Sequence, residues 1–139
     1  MRTRIVAGLL LGLAVAGCQT DSRDQIMLAT HTPVALRAVQ TRAFDTTDMN
    51  LTVRTVIATL QDLGFVIDKA DERLGAVSGT KLDGYTMRMT VTVRPRGTTQ
   101  TAVRASAQYD LVAVTDAQPY QQFFSALEQA MFLTANEVD

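Results

Sequence analysis

From Tyr85 to Arg94 the side chains change character at every step. Met87, Met89, Val91 and Val93 fall on one side, and Thr86, Arg88, Thr90, Thr92 and Arg94 fall on the other. A period of two marks a strand with one buried and one wet face. Pro95-Arg96-Gly97 reads as a hairpin, and Thr101 to Val114 returns as a second long strand. On that strand Val103, Ala105, Ala107, Tyr109 and Leu111 are expected to face a core, with Arg104, Ser106, Gln108 and Asp110 outward. A sheet apolar on one side only is antiparallel and needs a helical layer over that side. The small Ala105 and Ala107 leave room for a helix to come close.

Two amphipathic segments supply the layer. Met49, Val53, Val56, Ile57, Leu60 and Leu63 recur at helical spacing, with Arg54, Gln61 and Asp62 opposite. Thr46, Thr47 or Asp48 can cap this helix, and Gly64 stands where its C-terminus wants a left-handed residue, with Phe65 folding back. The second helix is capped by Thr115-Asp116 and carries Pro119 in its first turn. Its stripe is Tyr120, Phe123, Phe124, Leu127 and Met131, broadened by Phe132 and Leu133.

The rest is less regular. Val34 to Phe44 reads as a first strand whose poor alternation suits a sheet edge. Phe65 to Asp68 is short and extended, and Asp71-Glu72-Arg73 turns. Leu74 to Lys81 is a strand broken by Gly75 and Gly79, which points to a bulge or to close packing over bare backbone. Leu82-Asp83-Gly84 is a turn signal. The expected order is β-α-β-β-β-α, with the Phe65 strand able to continue into the Leu74 strand: an α+β domain with an antiparallel sheet of about four strands and two helices on one face. This domain is expected over residues 34–135, with a tail at 136–139.

The chain has 139 residues, 47% apolar and 19% charged, with a formal net charge of −1. That balance excludes a disordered polar chain and a strongly basic nucleic-acid binder, and the length fits one domain. A single cysteine excludes an internal disulfide framework. Residues 1–17 have the form of a signal peptide: Arg2 and Arg4, the apolar run Ile5 to Ala16, then small residues. The run falls short of the roughly 20 residues a spanning helix needs. Its removal takes two of the 13 basic residues and none of the 14 acidic ones, which moves the net charge to −3. Residues 18–33 read as a polar tether closed by Pro33.

Val15-Ala16-Gly17-Cys18 resembles the lipobox of bacterial lipoproteins. The resemblance implies that Cys18 becomes the lipidated first residue of the mature chain, with thioether- and amide-linked acyl chains such as palmitate. More than one chain makes a stable anchor. Gln19, where Asp would signal inner-membrane retention, implies the outer membrane, with the domain in the periplasm.

Catalytic constellations are hard to find. His31, the only histidine, falls in the tether, where it cannot hold a general base near a fixed nucleophile. Asp68, Asp71 and Glu72 lack the alternation of a calcium loop and read as a solvated turn. The run Gly75 to Lys81 is one residue short of a phosphate loop and does not open a helix. Ser78 lacks the flanking glycines of a nucleophile elbow. No enzyme, no metal and no cofactor beyond the covalent lipid are expected. Arg88, Arg94 and Arg104 share the wet face of the hairpin, with Arg96 at its turn. Cross-strand pairs with Asp110 on a solvated face account for them; a surface for acidic headgroups or an acidic partner is the functional alternative. Phe132 and Leu133 exceed what one buried helix face needs and are candidates for a partner surface.

Three segments carry a wider resemblance: Leu60 to Phe65, Gly75 to Lys81 and Tyr120 to Phe124. With them, residues 36–133 look like a group of small proteobacterial lipoproteins. The element order is similar to the helix-grip-like modules of the BamC lipoproteins, accessories of outer-membrane β-barrel assembly. The expected function is a non-catalytic, lipid-anchored accessory or scaffold that binds another cell-envelope protein, and no nucleic acid. The alternative is binding or sensing of a small apolar ligand or lipid in a helix–sheet pocket, between the last helix and the Ala-rich strand. Oligomeric state is left open.

Overall fold

The computed structural model describes residues 33–135 apart from residue 83. The expected signal peptide, Cys18, the tether before Pro33 and the tail at 136–139 lie outside the described residues. In chain order the elements are α1 (Pro33–Gln40), β1 (Thr41–Phe44), α2 (Met49–Asp62), β2 (Val66–Asp71), β3 (Ala76–Leu82), β4 (Thr86–Arg96), β5 (Gln100–Tyr109), β6 (Val112–Ala113) and α3 (Gln118–Ala135). The α+β class and the antiparallel sheet match the sequence-based expectation. Among the described residues, however, the sheet has six strands in the order β1-β5-β4-β3-β2, with β6 also on β5, and there are three helices.

Three local causes explain the difference. Val34 to Phe44 is not one strand: Pro33–Gln40 is helical, and only Thr41–Phe44 pairs with β5. Pro33 opens this helix because its missing N–H is an orphan of the first turn in any case. Leu36 and Val39 then share a helical face and pack on the core, and Gln40 is buried. The chain between Phe65 and Leu82 makes two strands, joined by the turn before Ala76. The expected long return strand stops at Tyr109. Asp110 adopts φ 51°, and Val112 folds back to pair with Tyr109. Leu111, expected in the core, is 94% exposed at the tip.

The remaining elements follow their sequence signals. The Asp48 carboxylate accepts the Leu51 N–H at 2.9 Å, capping α2. At the other end the Gly64 N–H bonds the Gln61 carbonyl and the Phe65 N–H bonds the Leu60 carbonyl, a Schellman closure. Val53, Val56 and Leu60 are fully buried as expected. Thr52, Thr55 and Thr59 are buried too, each hydroxyl donating to the carbonyl four residues earlier at 2.8 Å. Those internal bonds let a polar side chain enter a core contact without an orphaned donor.

One core joins Val77, Met89, Val91, Val93, Val103 and Ala105 of the sheet to α2 and to Tyr120, Phe123, Phe124 and Leu127 of α3. The helices therefore cover one face. Gly79 shows why β3 needs a bare backbone: a Cβ there would lie 3.1 Å from the Val66 carbonyl oxygen and 3.2 Å from Phe65 Cβ. The bulge falls instead on β2, between Ile67 and Lys69.

Candidate functional site

The helical layer does not reach the whole sheet. α2 ends at Asp62 and α3 begins at Gln118. Between these two ends the core face of β3, β4 and β5 is left open. Lys81 pairs with Met87, and Met87 pairs with Tyr109, so the three form one row across the sheet. They belong to the same inward-facing series as the buried Val77, Met89 and Ala107.

A cavity of about 250 Å³ occupies this corner. Its walls are Leu63 and Phe65 behind α2, Lys81, Met87, Met89 and Tyr109 on the sheet, Tyr85 before β4, and Asp116, Gln118, Pro119 and Gln122 around the start of α3. Thioethers, aromatic rings and Pro share the lining about equally with the polar groups of Lys81, Asp116, Gln118 and Gln122. Methionine adapts to irregular apolar shapes because it is unbranched and polarisable. The Tyr85 and Tyr109 rings meet edge to face, 5.7 Å between centroids at 64°. The Lys81 ammonium lies 6.0 Å from the Phe65 ring centroid. Asp116 is engaged at the helix start, where its carboxylate accepts the Gln118 N–H at 3.0 Å.

Exposed apolar side chains gather on the turns near the cavity, Leu82 among them on the outer face of β3, opposite to Lys81. Leu82, Tyr85 and Val112 are each more than two-thirds exposed, and Leu111 is almost wholly so. They sit on two neighbouring turns held together by the Asp110 N–H, which donates to the Thr86 carbonyl at 3.0 Å. Scattered exposed hydrophobics need no explanation, but several on adjacent turns beside a cavity mark a contact surface.

The pocket expected between the last helix and the Ala-rich strand is closed. Ala105, Tyr120, Phe123 and Phe124 are essentially inaccessible there. The Tyr120 hydroxyl donates to the Val114 carbonyl at 2.7 Å and accepts from the Ala107 N–H and the Gln40 side-chain amide, each at 3.2 Å. The small alanines admit α3 to the sheet and leave no space. The room lies beyond the first turn of α3.

The arginines do share the outer face, but not as one stripe. Arg94 pairs with Ala102, Arg96 with Gln100, and Arg104 with Thr92, which gathers these three at the hairpin end. Arg88 stands six residues back along β4 from Arg94, about 20 Å away at strand rise. Arg94 is also committed locally, its Nη1 donating to the carbonyls of Leu74 and Val93. Among the described residues the expected pairs with Asp110 do not form, and the ion pairs are Arg42–Glu128 at 3.6 Å and Arg54–Glu72 at 3.9 Å. Phe132 and Leu133 are 66% and 57% exposed, but on α3, across the sheet from the arginines. The two candidate surfaces therefore do not combine.

On the outer face Asp68, Lys69, Asp71, Ser78 and Arg88 border a broad furrow. Its acids serve local structure: Asp68 accepts from the Thr80 hydroxyl at 2.6 Å, and Asp71 accepts the Leu74 N–H at 3.0 Å. Among the described residues no cluster of three His, Cys, Asp or Glu side chains could hold a metal ion. No described helix is long and apolar enough to cross a membrane.

Lys81 and the cavity were missed from the sequence, although a signal existed. Continuing the Val77, Gly79 alternation puts a lysine at position 81 on the core face. That placement makes sense only where the core is open. No protein-family model matches the chain, and no curated protein matches it.

Proposed function

We propose that this is a lipid-anchored, non-catalytic domain of the cell envelope that binds a small apolar or amphiphilic molecule in the cavity between α2, α3 and the end of the sheet. The cavity itself carries the reading: Leu63, Phe65, Tyr85, Met87 and Met89 line one part of it, and Lys81, Asp116, Gln118 and Gln122 line the rest. Apolar side chains combined with placed polar groups are what small-molecule sites commonly present. The lipid anchor is proposed from the lipobox-like Val15-Ala16-Gly17-Cys18, and the periplasmic face of the outer membrane from Gln19. A Cys18→Ser chain is expected to leave the membrane fraction, and retention there would count against the anchor.

Native mass spectrometry of the full chain, taken from outer-membrane fractions into nanodiscs, tests the ligand reading. The wild-type chain is expected to carry added mass, and Met87→Trp, which fills the cavity, is expected to lose it. A wild-type chain free of adduct sinks the proposal. The second reading is an envelope protein docked on Leu82, Tyr85, Leu111 and Val112, favoured by their exposure on adjacent turns. Crosslinking from position 111 in intact membranes is expected to give one recurrent product under that reading.

A further inference from the structure

The wall of the cavity is not purely apolar, and its one cation is in an unusual place. Lys81 lies on the core face of β3, in register with Met87 and in line with the buried Val77 and Gly79. It is half-buried. Its stem runs beside Gly64, where a Cβ would meet Lys81 Cε at 3.6 Å, and its ammonium faces the Phe65 ring. The stem is thus laid along the cavity wall, with the ammonium at its solvent-accessible rim. Among the described residues it takes part in no ion pair. A lysine on the core face at the rim of a cavity presents a positive charge to whatever enters it.

We propose that Lys81 selects the polar end of the ligand, so that the cavity takes a monoanionic amphiphile with a carboxylate head and an apolar tail. This deepens the ligand reading above and rests on it. The ammonium would meet the carboxylate at the mouth, and the tail would lie on Met87, Met89 and Phe65. Cation and anion gain strength in a partly desolvated site. Asp116, in the same wall, sets the limit on head charge. One Lys and one Asp leave the lining neutral, so a single negative charge is accommodated better than a phosphate dianion. Gln118 and Gln122 supply uncharged hydrogen-bonding groups beside it. A cavity of about 250 Å³ suits a short or medium-length tail better than a long acyl chain.

Methyl NMR of the full chain in nanodiscs, with labelled methionine methyls, tests this with octanoate, octan-1-ol and octylammonium as probes. Octanoate is expected to shift the Met87 and Met89 methyls and to saturate at about tenfold lower concentration than octan-1-ol, with octylammonium weakest. Lys81→Met is expected to make octanoate and octan-1-ol equal, and Lys81→Arg to keep the preference. Equal binding of the two by the wild-type chain, or a preference that survives Lys81→Met, overturns the head-group assignment while leaving the cavity a ligand site. Shifts of similar size at Met49 and Met131, remote from the cavity, mean partition into the bilayer and overturn it too. No shift with any probe overturns the ligand reading itself.

Discussion

Tyr120 shows how much one side chain can settle. Its ring is core, but its hydroxyl bridges three chain segments: α1 through Gln40, β5 through Ala107 and the start of the last loop through Val114. The Ala107 N–H lies on the edge of β5 between the stretches covered by β1 and β6, so the phenol stands in for a missing strand. Tyr120→Phe keeps the packing and orphans those partners. It is expected to cost about 1–3 kcal/mol, read as a lower midpoint in urea unfolding with an unchanged slope. Gly75 is a second such position. Its φ is +61°, its carbonyl accepts the Val93 N–H at 2.7 Å, and a Cβ would sit 2.4 Å from the Val93 carbonyl oxygen. Gly75→Ala therefore pays for left-handed backbone and for a clash with backbone together. A loss of more than about 2 kcal/mol is expected, and calorimetry showing no fall in Tm would contradict it.

Elements were legible where local signals agreed with one another. α2 has a cap, a face and a stop, and the structure follows all three. Asp48→Ala is expected to destabilise by about 1 kcal/mol and Asp48→Asn by much less, because asparagine also accepts at an N-cap; thermal melts of the two variants check the order. β4 was equally clear, since alternation over a long strand admits one register face. Elements were misread where two signals competed. At Pro33–Gln40 a weak alternation hid a helix whose start was marked by its proline. At Asp110 an unbroken apolar-polar pattern hid a turn, because nothing in the pattern reports that an aspartate takes positive φ. Thr52, Thr55 and Thr59 were missed as core because a threonine looks polar until its hydroxyl is seen bonded inside its own helix.

At the scale of the whole molecule the sheet is unequal. β4 is flanked along most of its length by β3 and β5, whereas β1 and β6 are short additions along the same edge of β5. Local opening is easiest where few buried contacts must break. Amide exchange is expected to be slowest in β4 and β5 and much faster in β1, β6 and α1; equal protection across all of them would show that the edge closes as firmly as the centre. The cavity belongs to the same scale. It exists because α2 ends and α3 begins short of one corner of the sheet, and no single element contains it.

The sequence by itself determined the one-sided antiparallel sheet, the two longer amphipathic helices and most of the apolar core, because periodicity and caps are local and redundant. It also placed the arginines on the outer face, since side-chain alternation is inherited from register. The tertiary structure alone decided that Arg94 is tied to the Leu74 carbonyl and that Phe132 and Leu133 lie across the sheet from the arginines. It alone closed the gap over Ala105 and opened one at Lys81. These depend on where separate elements stop relative to one another, a distance in space that no run of neighbouring residues encodes.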